Sequence, residues 1–198
     1  SQDHLDYHKT MKAYLNAKLI LFRKILSKKS TIISNDKIPI FKILNQIAKK
    51  KNLGISNINK TFKRIKNIDL KLNEDFKIRN LAMAIEAAKL CGLKEKLILN
   101  SLKKLKDVNG RLELVKKYPN DVKVFIDYAH TPDALLETLN SLRNNYGNNI
   151  SLVFGCGGER DQIKRPIMAK IANNNCKKIY ITDDNPRNEK PQKIRKIL

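Results

Sequence analysis

Apolar residues recur at helical spacing through most of the first hundred positions. Met11, Tyr14, Leu15, Leu19, Phe22 and Leu26 predict a helix over 10–26, with Thr10 able to cap it. A β-branched run at 30–34 predicts a strand, and Ile40, Ile43, Leu44 and Ile47 predict a helix over 39–50. Residues 53–72 fit either template, and strands at 54–58 and 61–65 are the expectation. A strongly amphipathic helix follows over 76–90, closed by Gly92 just past its end, and another over 94–105.

The pattern changes near Asp107-Val-Asn-Gly110. Apolar strands are predicted at 122–126, 150–154 and 178–182, with helices over 132–146 and 165–175 between them and a further helix opening near Pro191. That alternation predicts parallel strands joined by right-handed crossovers, an α/β arrangement. It also sets an expected domain boundary near 109, dividing the chain into 1–109 and 110–198.

Each of the three later strands runs into a polar turn: D-Y-A-H-T-P-D at 127–133, G-C-G-G-E-R-D at 155–161 followed by Lys164-Arg165-Pro166, and T-D-D-N-P-R at 182–187. Open α/β sheets bind ligands at the carboxyl ends of their strands, so these turns are expected to share one rim. Thr131 is a suitable N-cap and Pro132 a suitable first helical residue, leaving Asp127, His130 and a helix N-terminus facing something polar. Glycines at 155, 157 and 158 let backbone approach a ligand closely, or simply make a tight turn. Arg160 and Arg187 could each grip a carboxylate through two parallel hydrogen bonds; for Arg160 the alternative is a surface ion pair with Asp161 or Glu159. At the other end, Asp3, His4, Asp6 and His8 read equally as metal ligands or as a polar loop with capping aspartates. Lys18 has apolar neighbours along its helix. Partial burial would make its amine more nucleophilic, while the commoner outcome is a lysine that snorkels to water.

Composition limits the function classes. The 198 residues carry 41 Lys and Arg against 19 Asp and Glu, a formal net charge of +22. The excess is mostly lysine, scattered and mixed with Asn and Ile, as an AT-rich genome supplies, and aromatics are only 6%. A surface that tracks nucleic acid would cluster arginine and interleave aromatic rings, so no specific nucleic-acid partner is expected. A basic nucleic-acid-binding protein is kept as the non-enzyme alternative. Cys91, Cys156 and Cys176 form no C-x-x-C pair, which supports neither a disulfide framework nor a zinc site and fits a reducing cytosol. No apolar run reaches the length of a membrane span.

Seven segments in order resemble the Mur ligase family, most closely its MurE type. They are S-Q-D-H-L-D-Y-H from Ser1, Ala17-Lys18, N-L-A-M-A-I-E-A-A from Asn80, G-R-L-E from Gly110, D-Y-A-H-T-P-D-A-L from Asp127, F-G-C-G-G-E-R-D with K-R-P from Phe154, and T-D-D-N-P-R from Thr182. The resemblance implies the C-terminal part of a P-loop-type central ATPase domain over 1–109, followed by a Rossmann-like C-terminal domain, incomplete, over 110–198. It implies ATP and Mg2+ as cofactors. The implied reaction adds meso-diaminopimelate to UDP-N-acetylmuramoyl-L-alanyl-D-glutamate through an acyl phosphate, in the cytoplasm, in peptidoglycan synthesis, by a monomer. His4 then matches a magnesium ligand and Lys18 the lysine that the family carbamylates. Asn80 matches an adenine neighbour, Arg111 a phosphate contact and Asp127 a ribose contact. His130 shares the Asp127 turn without a separate step. Asp184, Asn185 and Arg187 match the residues that read the amino-acid substrate, with Arg160 a further contact. Lysine-adding relatives lack the arginine at 187, which implies diaminopimelate; a lysine-adding enzyme or a folylpolyglutamate synthase relative is the alternative. Lys9 departs from a common glycine, and Glu159 from a common aspartate. No G-x-x-G-K-[ST] phosphate loop is present, so the chain is expected to be an internal fragment, inactive alone.

Overall fold

The computed structural model describes residues 4–68 and 74–198. Ser1–Asp3 of the first motif, with the candidate ligand Asp3, lie outside the described residues. The chain divides into two units, one of Leu15–Lys106 and one of Ser1–Tyr14 with Asp107–Leu198.

A short helix α1 (Leu5–His8) precedes α2 (Met11–Ile20), which runs on into a π-helical turn at Leu21–Ile25. In the Leu15–Lys106 unit, β1 (Thr31–Ser34) and β2 (Gly54–Asn57) pair in parallel with α3 (Phe41–Lys51) as the crossover. The alternation of a strand sends successive side chains to opposite faces. Ile32 accordingly packs with Leu19, Leu44 and Ala48, while Ile33 lies against the other cluster. That second cluster joins Ile58 and Ile65 to Ile78, Ala82, Ile85, Ile98 and Leu102. It is built by α4 (Asn59–Lys66), α5 (Asp75–Leu90) and α6 (Glu95–Leu102).

The strand expected at 61–65 is therefore helix α4. Ile58, Thr61 and Ile65 are the residues it buries, at the spacing of one helical face. Tertiary packing outweighed the β-branched composition that suggested a strand. The end of α5 follows the expectation: Gly92 has φ +86°, its N–H donates to the Lys89 carbonyl, and that of Leu93 donates to Ala88, a Schellman cap.

In the second unit, β3 (Glu113–Lys117) and β4 (Lys123–Ile126) form an antiparallel hairpin with an irregularity between Leu114 and Lys116. The sequence reading had no strand at 113–117 and expected a parallel partner for 122–126. The tight turn decides otherwise: Tyr118 N–H donates to the Val122 carbonyl and Asp121 N–H to Tyr118, with Asp121 at φ +60°. Helix α7 (Pro132–Tyr146) follows, then β5 (Ser151–Phe154), α8 (Lys164–Asn175), β6 (Lys178–Ile181) and α9 (Pro191–Ile197). Here the expected crossover is found, since β5 and β6 pair in parallel. Leu135, Leu139, Cys156, Met168 and Ile194 make the buried core, with Leu152 and Phe154 packed against it.

Carboxylates are tied into the fold at many points. Asp36 accepts from the Asn57 and Asn59 amides. Glu86 accepts from Ser56 and Thr61, and the Thr61 hydroxyl above all holds its carboxyl below the usual range. Glu113 accepts the Gly110 N–H, and Asp161 that of Ile163.

Candidate functional site

Asp127 leaves the end of β4 and turns inward. Its Oδ1 accepts the Leu112 N–H at 2.9 Å and its Oδ2 accepts the Thr138 hydroxyl at 2.5 Å. The carboxylate thus ties the entry of β3 to α7. It retains acceptor capacity, because two carboxylate oxygens offer about four lone-pair sites. Thr131 caps α7 by accepting the Ala134 N–H, and Pro132 occupies the first turn, as the sequence predicts. On the outer side of the turn, the exposed Arg111 guanidinium lies 4.6 Å from the Tyr128 ring centroid, a cation–π contact. The His130 ring meets the same tyrosine edge-on at 5.2 Å, and its Nδ1 is 3.0 Å from the Tyr128 carbonyl. Arg111, Asp127 and His130 are therefore brought together around one turn.

The second and third turns interlock backbone to backbone. Gly158 N–H donates to the Asn185 carbonyl at 2.8 Å, and Arg187 Nη1 donates to the Gly158 carbonyl at 2.7 Å. A Cβ on Gly158 would overlap the Pro186 carbonyl oxygen and sit 2.6 Å from its carbon, and one on Gly155 would collide with the Thr182 carbonyl. These glycines exist for close approach between two protein segments. Arg187 itself is exposed and sits at φ +49°, in the left-handed region, held there by its turn. Glu159 is likewise at φ +50° and Lys9 at φ +60°. Lys9 thus holds a backbone conformation that favours glycine.

Lys164 links the first turn to the second, its buried Nζ donating to the His130 carbonyl at 2.8 Å. Asp184, Asn185 and Arg187 thus stand beside Gly157 and Gly158, while the first turn follows β4, which pairs with β3 and not with the β5–β6 sheet. Arg160 is exposed and lines a cavity with Leu5, Asp6, Lys9, Asp161 and Gln162.

The earlier candidates are more dispersed. His4 is exposed at the start of α1, 6.4 Å between ring centroids from Tyr14, while His8 lies between Tyr7 and Tyr14. Lys18 is exposed, the commoner of the two outcomes its sequence context allows. The buried stripe of its helix runs through Leu15, Leu19 and Phe22, and Lys18 falls on the flank. Asn80 is exposed on α5, off the Ile78–Ala82–Ile85 stripe. His4 belongs to one unit, Lys18 and Asn80 to the other. Among the described residues, no three His, Cys, Asp or Glu side chains gather where a metal could be held.

Sequence reasoning missed one prominent group. Arg165, 1% exposed, forms a two-point ion pair with Glu189, 24 residues away, at 2.7 and 2.9 Å. Arg165's N–H groups hold the Glu189 carboxyl down to about 2. The K-R-P run had hinted at Arg165, but nothing local marks Glu189 as its partner.

Family comparison divides the chain differently at its start, keeping Ser1–Tyr14 with the residues that follow rather than with Asp107–Leu198. Residues 1–90 match the Mur ligase middle domain and residues 110–198 the Mur ligase glutamate ligase domain. A UDP-N-acetylmuramoyl-L-alanyl-D-glutamate–2,6-diaminopimelate ligase of Rickettsia bellii is 37% identical over 221 residues, covering 100% of this chain and 46% of that protein. The enzyme of the same name from Buchnera aphidicola of Acyrthosiphon pisum is 37% identical, over 98% of this chain and 44% of its own length. The chain thus spans about half the length of the curated relatives it matches. A solved structure of such a ligase superposes with a TM-score of 0.55 at 28% identity, over 100% of this chain and 45% of that one. A Mycobacterium tuberculosis folylpolyglutamate synthase shares the fold, with a TM-score of 0.63 at 14% identity over 91% of this chain and 45% of its own.

Proposed function

The chain belongs to the Mur ligase family, and from that premise we propose that it is part of a ligase that adds meso-diaminopimelate to UDP-N-acetylmuramoyl-L-alanyl-D-glutamate. In this reading, residues 1–109 are the later part of the central ATP-binding domain and 110–198 belong to the C-terminal domain. The observation that carries it is the third turn. Arg187 is exposed, its backbone is fixed by Asn185, and one guanidinium nitrogen is tied to Gly158. A guanidinium has N–H groups beyond the one tied to Gly158, and its planar fork fits a carboxylate. Diaminopimelate differs from lysine by a carboxylate at the far end. A site that leaves Arg187 unpaired with lysine disfavours lysine. The same ligase name on the Rickettsia and Buchnera relatives supports the choice.

ATP, when bound, supplies the phosphoryl group that turns the D-glutamate carboxylate into an electrophile. The residues present fit its contacts. Arg111 is an exposed cation braced on Tyr128, suited to offsetting phosphate charge, and Asp127 keeps lone pairs for a ribose hydroxyl. Asn80, exposed on α5, offers an amide to the adenine edge. His130 presents an exposed ring on the same turn as Asp127 and orients through the Tyr128 carbonyl. Asp184 and Asn185 frame the amino-acid end with Arg187, and Arg160 supplies a second exposed cation.

Magnesium fits less well. His4 and Lys18 are its family positions, and the described residues assemble no ligand cluster around either, so no step is routed through the ion. A cytoplasmic enzyme follows from the same reading, and among the described residues no helix is long and apolar enough to cross a membrane. The test is substrate preference in the intact ligase. Arg187→Ala should abolish the preference for meso-diaminopimelate over lysine, and a variant that retained it would sink the assignment.

A further inference from the structure

Arg165 is the second residue of α8 and is 1% exposed. A guanidinium so far from water is costly unless it is fully bonded. Its Nη1 donates to Glu189 Oε2 at 2.9 Å, and its Nη2 donates to Glu189 Oε1 at 2.7 Å and to the Gly157 carbonyl at 3.1 Å. Its Nε is buried without a partner. Glu189 collects further donors, the Glu159 N–H at 2.5 Å and the Gln162 amide at 3.4 Å, and its own N–H donates to the Pro186 carbonyl at 3.0 Å. One carboxylate therefore joins α8, the second turn and the residue that closes the third.

Filling space does not explain this pair. Apolar side chains of similar volume commonly serve a core as well as a buried ion pair does, without its desolvation cost. What an apolar pair cannot do is fix direction. The Arg165–Glu189 fork sets both the distance and the rotation of the third turn against the second, bonding to Gly157 and Glu159 on either side of the Gly158 that is held to Asn185 and Arg187. Preorganised geometry of this kind separates a tight site from a loose one.

We propose that Arg165 and Glu189 are positioning residues for amino-acid selection, a buried clamp that fixes the 184–187 turn so that Arg187 meets the distal carboxylate of the incoming substrate. The inference rests on the reading of that turn as the one that recognises the amino acid.

The experiment is steady-state kinetics on the intact ligase carrying Glu189→Gln, Arg165→Lys or Arg187→Ala, with circular dichroism as a check on folding. Glu189→Gln keeps shape but removes the charge, and Arg165→Lys keeps charge but removes the fork. Both are expected to raise KM for meso-diaminopimelate about tenfold, the scale of one charge-assisted hydrogen bond, and to narrow its preference over lysine. KM for ATP and kcat at saturating amino acid should stay within about twofold of the parent, a split that a purely structural role would not produce. The clamp is overturned if all constants move together, if none moves, or if both variants lose their secondary structure, since the pair would then be a core element. Arg187→Ala separates the two layers. If it keeps the preference for meso-diaminopimelate, the underlying reading falls and the clamp with it. If it loses that preference while Glu189→Gln behaves as the parent, only the clamp falls.

Discussion

Gly158→Ala should displace the 182–187 turn, to which the proposed function assigns the amino-acid substrate, without changing any side chain of that turn. Gly158 does not have a positive φ, so backbone strain is not the issue; space is. The added methyl would overlap the Pro186 carbonyl oxygen and lie 2.6 Å from its carbon and 3.2 Å from its Cα. Those are backbone atoms flanked by the Asn185 carbonyl that accepts the Gly158 N–H and by Arg187, whose Nη1 returns to the Gly158 carbonyl. Relief requires the two strands of chain to separate by on the order of 1 Å, and a misplacement of that size can cost about 100-fold in rate. Two hydrogen bonds would lengthen or break, removing about 1 kcal/mol each from the stability of the domain. The assay is initial rate against meso-diaminopimelate and, separately, against ATP in the intact ligase. The expected result is a fall of about 100-fold in kcat/KM for the amino acid with KM for ATP little changed. A Gly158→Ala enzyme with parental kcat/KM for the amino acid would refute the argument that these turns are interlocked through the absent side chain.

Three other outcomes are expected. Glu189 has a folded pKa of about 2 against an ordinary 4.5, because Arg165 first, and the Glu159 N–H after it, hold the carboxylate ionised. A folded value below the unfolded one stabilises fully above about pH 4.5 and is lost as pH falls toward about 2. The gap in denaturation midpoint between parent and Glu189→Gln should therefore narrow as pH drops from about 5 to 3, and a constant gap would count against the ion pair. Ile58→Ala, at a side chain with 0% exposure in the α4–α5–α6 core, should lower stability by about 3 kcal/mol in a thermal melt. Asp127→Ala removes the acceptor of both the Leu112 N–H and the Thr138 hydroxyl and should cost about 2–4 kcal/mol; Asp127→Asn, which keeps one acceptor oxygen, should melt closer to the parent.

Sequence periodicity resolved the parts of the fold whose signals are local. The Thr131–Pro132 start of α7 and the Gly92 end of α5 are cap chemistry, written in two or three adjacent residues. The β5–α8–β6 crossover follows from two apolar runs with a helix between them. Misreadings occurred where local and long-range signals disagreed. Thr61 and Ile65 are β-branched, yet their spacing from Ile58 serves a helix that packs on α5. Glu113–Lys117 has no alternation to betray a strand, because hairpin pairing with β4 makes it one while most of its side chains stay in water. The candidate site divides in the same way. Arg187 and Asp127 could be singled out from their turns, whereas the Arg165–Glu189 fork and the Lys164 bond to His130 depend on which faces meet in three dimensions.

The carboxylates pinned into this fold bear on how its charge can change. Losing Glu86, Asp127 or Glu189 would strand a hydroxyl, a backbone N–H or a buried guanidinium, so substitution at each of these positions carries its own cost. Most lysines carry no such obligation, and an exposed lysine can arise or vanish with little effect on stability. Charge changes in this chain, with 41 Lys and Arg against 19 Asp and Glu, therefore cost least when they fall on exposed lysines rather than on these pinned carboxylates.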